Sequence, residues 1–199
     1  MTNFQDYEKI SKEEGIGKGG GDWMKIKDGE NKVRFVTELQ AYGKHYIQAE
    51  KKNYVCIGEK CILCSKGVKK QTRFIGWVID REDGKTKLLE IGWQIFKQMG
   101  ELSKSSEYGF ENLPNFDIII KKKGEGLDTE YFIQPARKET KLTDKEKKEI
   151  EKLTSPEMIV EKMLEKNPSP SLEDPIDREQ EDQNREEGEE DIDVNEIPF

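Results

Sequence analysis

Apolar residues in the middle of this chain come in short alternating runs, the period of two that places every second side chain on one face of a strand. Five such runs, at 32–37, 73–80, 85–91, 116–122 and 129–134, are rich in β-branched and aromatic residues and predict strands. Asp83-Gly84 lies between the second and third, and Lys123-Gly124-Glu125-Gly126 between the fourth and fifth. Each pair therefore reads as a hairpin, its reversal using glycine's tolerance of positive φ. Between the third and fourth runs the period changes: Trp93, Ile95, Phe96, Met99 and Leu102 fall roughly at helical spacing. Five strands with one interposed helix predict a mainly β protein built on an OB-fold barrel.

Beyond Pro135 the pattern is helical. Thr143 and Glu146 form a capping box, and Ser155-Pro156 supplies a cap followed by proline at the first helical position. Ile150, Leu153, Met158, Ile159, Met163 and Leu164 give these two short helices apolar faces to dock on the barrel. Asn167-Pro168-Ser169-Pro170 closes the folded region, and the stretch that follows is too charged and too poor in aromatics to bury a core. At the other end, an apolar-poor segment runs into Gly17-Lys18-Gly19-Gly20-Gly21, which reads as an arm on a hinge, or as plain disorder.

Charge changes the picture. A net −8 over 199 residues argues, taken alone, against a nucleic-acid partner. Thirteen acidic residues from Glu173 onward, set against Arg178 and Arg185, account for −11, so residues 1–172 carry +3 and the body is mildly basic. No run of eighteen apolar residues occurs, and Met1-Thr2-Asn3-Phe4-Gln5-Asp6 lacks the basic and apolar regions of a signal peptide. The expectation is a cytoplasmic protein with no membrane partner.

The three cysteines and the one histidine crowd together as His45, Cys56, Cys61 and Cys64. An odd cysteine count beside a histidine suits a metal better than a disulfide framework. Four nitrogen and sulfur donors, ending in a C-x2-C chelate, suit one tetrahedral Zn²⁺ with no open position, hence a structural ion. Nearby Lys60, Lys66, Lys69 and Lys70 favour thiolate over thiol. With its histidine engaged, the chain offers no evident base for a nucleophile, and Gly15-Ile16-Gly17-Lys18 lacks the Lys-Ser/Thr ending of a phosphate loop. A non-enzymatic role is expected. The organisation is then a flexible arm (1–21), a barrel core (22–140) with a zinc subdomain (44–68), a helical extension (141–167) and a disordered acidic tail (168–199).

Aromatics in the body interleave with cations, the combination that holds single strands by stacking and phosphate contact. The candidates are Trp23, Lys25, Arg34, Tyr42, Tyr46, Lys51, Lys52, Arg73 and Trp77. Phe35, Phe74, Trp93, Phe96 and Phe132 are expected in the core, and Lys121-Lys122-Lys123 as a solvated strand end.

Trp23 leading to Gly29-Glu30-Asn31-Lys32-Val33-Arg34-Phe35, the His45 to Cys64 cluster, and Gly109-Phe110 through Pro114, Asp117-Ile118 and the Tyr131 strand together carry a resemblance. Over about residues 23–143 the chain resembles the zinc-containing single-stranded DNA-binding proteins of tailed phages, the T-even helix-destabilising type. That resemblance implies an OB fold, a zinc subdomain flanking a basic aromatic cleft, and binding of single strands with little sequence preference in replication, recombination and repair. It makes His45, Cys56, Cys61 and Cys64 the ligands and places Arg34, Tyr42, Tyr46 and the Arg73-Trp77 strand at the cleft. The arm differs from the family's basic cooperative segment, since Asp6, Glu8, Glu13 and Glu14 oppose Lys9, Lys12 and Lys18.

The end of the chain, with Asp191, Asp193, Ile197, Pro198 and Phe199, instead resembles the acidic tip of bacterial single-stranded DNA-binding proteins. That tip docks replication and repair proteins such as a polymerase, helicase, primase or recombinase. Physically, Ile197 and Phe199 suit an apolar pocket, with the aspartates and terminal carboxylate on its basic rim. The same tail could cover the body's own cleft as a DNA mimic, or serve only solubility. Self-association on DNA fits a lone OB domain. The competing reading is a zinc-ribbon adaptor in transcription or protein assembly, whose aromatics are all core.

Overall fold

The computed structural model describes residues 23–136 and 141–171. The arm at 1–21 and the tail from 172, including Asp191, Asp193, Ile197, Pro198 and Phe199, lie outside the described residues.

Seven strands form one antiparallel sheet: β1 (Gly29–Phe35), β2 (Gln40–Ile47), β3 (Lys52–Val55), β4 (Lys70–Asp80), β5 (Thr86–Gly92), β6 (Ile118–Lys123) and β7 (Glu130–Pro135). Their order is β3-β2-β4-β1-β6-β7, with β5 paired to β4 off this path. The 11-residue β4 is the spine. One edge pairs with β2 (Ala41 opposite Phe74, His45 opposite Lys70) and then β1 (Phe35 opposite Val78), and the other runs along β5 from Arg73 to Ile79. Four helices complete the description: α1 (Ile62–Ser65), α2 (Trp93–Ser103), α3 (Asp144–Ile150) and α4 (Pro156–Lys166). None is long and apolar enough to cross a membrane.

The five strands predicted from alternation are β1, β4, β5, β6 and β7. Their inward positions, among them Val33, Phe35, Phe74, Val78, Ile91, Ile118 and Ile120, meet Ile95 and Met99 of α2 in one buried cluster. Each fully buried aliphatic contributes about 1.5–3 kcal/mol. The sheet is not closed among the described residues: its path ends at β3 and β7, with no ladder joining them. Instead α2 lies along β7, where the Gln98 side chain substitutes for a strand partner. Its amide donates to the Tyr131 carbonyl at 2.7 Å and accepts from the Ile133 N–H at 3.0 Å.

Strands β2 and β3 escaped prediction for a physical reason. The buried positions of β2 are Tyr42 and His45, three apart and on opposite faces, so no hydrophobic alternation marks it. Its Gly43 sits where a Cβ would come 3.1 Å from the Cys56 Cβ, so the strand passes close under the metal cluster.

Residues 74–80 of β4 are buried without interruption because both faces are covered. The second face carries Ile75 and Trp77, which join Tyr42, Val55 and Leu88 under α4. Both predicted caps are present: the reciprocal Thr143–Glu146 box and Ser155 accepting from the Met158 N–H ahead of Pro156. Of the residues expected to dock, Leu153, Ile159, Met163 and Leu164 do so around buried Val160, whereas Met158 points outward.

α3 buries no residue of its own and is held by charge. Glu146 meets Arg81 at 2.5 Å, and Arg81 continues to the fully buried Asp117 at 3.1 Å, which Lys32 and Arg34 also approach at 3.4 and 3.7 Å. Burial pushes the Glu146 carboxyl up, but hydrogen bonds from Thr143 and the Arg81 guanidinium outweigh it and hold it below the usual carboxylate range.

Candidate metal centre and nucleic-acid surface

The β2–β3 hairpin and the turn that follows build the metal centre. His45 projects from β2, and Cys56 follows β3 with its N–H on the Gly43 carbonyl at 2.8 Å. Gly58, at φ 84, reverses the chain. Cys61 and Cys64 then lie on either side of the start of α1, so the C-x2-C chelate spans one tight turn. The Cys61 and Cys64 sulfurs are each 3.4 Å from His45 Nε2, and the Cys56 and Cys64 sulfurs are 3.6 Å apart. All four donor atoms lie within 4.8 Å of one another. A tetrahedral Zn²⁺, with Zn–S about 2.3 Å and Zn–N about 2.0–2.1 Å, sets its ligand atoms roughly 3.5–3.8 Å apart. The donors fit one such ion, and zinc bound there would have its coordination filled by protein.

Burial pushes the Cys61 thiol up, yet hydrogen bonds from Ser169, Cys64 and Cys56 outweigh it and bring it down to about 6. The hydrogen bond to Cys56, then burial and the contact with Cys61, push the Cys64 thiol up to about 11. Zinc binds thiolates, so loading a cation displaces protons from the cluster.

Ser169 is a participant the sequence did not flag, since Pro168-Ser169-Pro170 reads only as a terminator. The segment pairs with β3, Val55 N–H to the Asn167 carbonyl and Ser169 N–H to the Val55 carbonyl, both at 2.8 Å, and Ile62 N–H bonds the Pro170 carbonyl at 3.0 Å. The buried Ser169 hydroxyl accepts from the Ile57 N–H at 3.2 Å and reaches the Cys61 sulfur. Supports of this kind typically matter 10- to 100-fold in metal affinity. Ser169→Ala is expected to weaken zinc binding by about tenfold in chelator competition; an unchanged affinity would remove Ser169 from the site.

The proposed DNA-contacting residues separate into three groups. Tyr46, Lys51 and Lys52 belong to the β2–β3 hairpin: Tyr46, opposite Asn53, is well exposed on one face, while Lys52, opposite Ile47, is on the other, its ammonium 4.7 Å above the Tyr54 ring. Trp23 and Lys25 run beside β5, where Trp23 bridges to Leu88 and is 42% exposed. Arg73 is half-buried, its guanidinium on Gln71 at 2.8 Å and 3.6 Å from Glu90.

Arg34, Tyr42 and Trp77 are buried. Arg34 is spent on the buried Asp117. Tyr42 and Trp77, only 7% and 9% exposed, lie under α4, with the Trp77 indole N–H donating to the Thr154 carbonyl at 2.8 Å. Burial and a short hydrogen bond to Glu90 push the Tyr42 hydroxyl far up.

Two residues expected in the core are outside it: Trp93, 61% exposed, and Phe132, 50% exposed. A signal for each was present. Tyr131 and Ile133 face the core cluster, so strand parity turns Phe132 outward. Trp93 lies roughly 160° around α2 from Ile95 at 100° per residue.

A phage protein is similar to this chain. It is the "Probable ssDNA-binding protein" of Escherichia phage T5, 37% identical over 67 residues. The match takes in 34% of this chain and 25% of that protein, so the chain spans a quarter of the length of this curated relative. No family model matches the chain, and no solved structure matches it.

Proposed function

We propose that this chain is a non-enzymatic, zinc-stapled protein that binds single-stranded DNA with little sequence preference. The observation that carries the reading is the similarity to the phage T5 protein described as a probable ssDNA-binding protein. Exposed aromatics and cations, Trp23 and Lys25 beside β5 and Tyr46, Lys51 and Lys52 on the β2–β3 hairpin, are the side-chain types such binding uses. The order β1, β4, β5, α2, β6, β7 suits a partly open OB barrel in which α2 stands where a closing ladder would run. Zinc in this reading is structural, the filled coordination leaving no place for water or substrate. The acidic tip then recruits replication, recombination or repair enzymes, as the resemblance of the chain's end to bacterial single-stranded DNA-binding proteins implies, while the basic body protects the strand.

Polarisation of labelled oligo-dT tests the reading. The expected result is binding that weakens with salt, with a log–log slope of about −0.7 per phosphate neutralised. The chain without residues 191–199 is expected to bind at least as tightly and to lose capture of its enzyme partner. Absence of oligo-dT binding at low salt would instead favour the zinc-ribbon adaptor, for which the burial of Arg34, Tyr42 and Trp77 is the supporting observation.

A further inference from the structure

Trp93 is the most exposed large hydrophobic side chain among the described residues. The packing of α2 does not require it there, since Ile95 and Met99 supply the buried face. Its position is nevertheless fixed. Phe74 and Phe96 stack at a centroid distance of 3.7 Å, and the Trp93 ring leans on both, at 6.3 and 5.9 Å. The indole is therefore held by a rigid aromatic base while most of its surface meets water.

Beside it lies a concavity of about 220 Å³ lined by Arg73, Glu90, Trp93, Gln94 and Tyr131 among others. The Arg73 guanidinium rests against Gly92, where a Cβ would come 2.9 Å from Nη1, so the glycine preceding Trp93 is what lets cation and indole sit together. Glu90 does not reverse the charge, because Lys44 at 2.7 Å and Arg73 at 3.6 Å both face it. The segment carrying Trp23 and exposed Lys25 runs beside β5, bonded from Met24 to Leu88 at 2.8 Å, and its Ile26 reaches the same concavity.

We propose that Trp93 and Arg73 form the base-stacking station of this protein: an unpaired nucleobase of single-stranded DNA stacks on the Trp93 indole while the Arg73 guanidinium meets the adjoining phosphate. The inference rests on the reading of the chain as a single-strand binder and adds where the strand lies. It follows the β5–α2 junction and the Trp23 edge, with Arg73 reaching it from the face that Tyr42 shares. The station tolerates any sequence, because an indole stacks on every base and the lining offers one amide, Gln94, for base edges.

The test uses the full chain and polarisation of labelled oligo-dT, a readout that does not depend on tryptophan. Trp93→Ala is expected to weaken binding about 5- to 150-fold, the range of base–aromatic stacking, and Trp93→Phe to recover most of it. Arg73→Gln is expected to weaken binding and to flatten the salt slope by close to the share of one phosphate. Oligo-dT is expected to quench the wild-type tryptophan emission, and this quenching is expected to persist in Trp23→Phe and to fall sharply in Trp93→Phe. Circular dichroism melts show whether each variant is folded. Wild-type binding with Trp93→Ala within twofold of it would overturn the station and leave the general reading intact, as would a Trp93→Ala chain changed only in its sedimentation, the mark of a protein contact. A wild-type chain that leaves oligo-dT unbound would overturn both.

Discussion

Replacing Cys61 with serine is expected to abolish stoichiometric zinc binding and to unfold the region from Cys56 to Val68. The ion would join His45 of β2, Cys56 at the end of β3, and both cysteines around α1, and nothing else in that turn buries much: Cys61 and Leu63 are its buried residues. Binding energy at such a site is folding energy, about 10–16 kcal/mol for zinc-finger peptides, of which a lost thiolate forfeits several. The disturbance spreads further, because the Ser169 segment is held to the same turn through Ile57 and Ile62. Metal content by mass spectrometry and thermal melts with and without chelator check this. A Cys61→Ser chain that retains one zinc and the wild-type melt would refute the centre.

Asp117→Ala is expected to cost about 3–5 kcal/mol, the usual penalty for removing one partner of a buried ion pair. Asp117 is fully buried, and Arg81, Lys32 and Arg34 converge on it at 3.1, 3.4 and 3.7 Å. Deleting the carboxylate removes the anion that the buried Arg34 and the half-buried Arg81 share. For a domain with about 5–15 kcal/mol of net stability, that is a large fraction. Because Arg81 also holds Glu146, α3 should loosen, so protease sensitivity near 141–150 is expected to rise together with a lower urea midpoint. A midpoint shift worth less than about 1 kcal/mol, the scale of an exposed pair, would show that water already screens the cluster.

The sequence reading was most reliable where one residue's chemistry is enough to specify its environment. His45, Cys56, Cys61 and Cys64 were chosen on type and spacing, and the fold brings their donor atoms together. The caps at Thr143 and Ser155 were equally legible, since capping depends on residues three positions apart and on little else. Ser169 was invisible because a serine between two prolines has no local signature; its role comes from a segment 112 residues away in sequence, at Ile57.

Strand alternation supplied five strands and the parity of each side chain, but parity does not say what covers a face. On β4 it puts Phe74 and Trp77 on opposite faces, yet only the return of α4 across the sheet buries Trp77 and Tyr42. The same limit applied to Trp93, whose aromatic character suggested core while the rotation of α2 on Phe74 and Phe96 turned it to solvent. Residue type and spacing alone determined the His/Cys cluster able to hold a metal, the helix caps, the predicted strands and the charge division between body and tail. Long-range packing decided the open sheet, the Ser169 clasp and which aromatics remain exposed, because burial depends on which distant segment lies on each face.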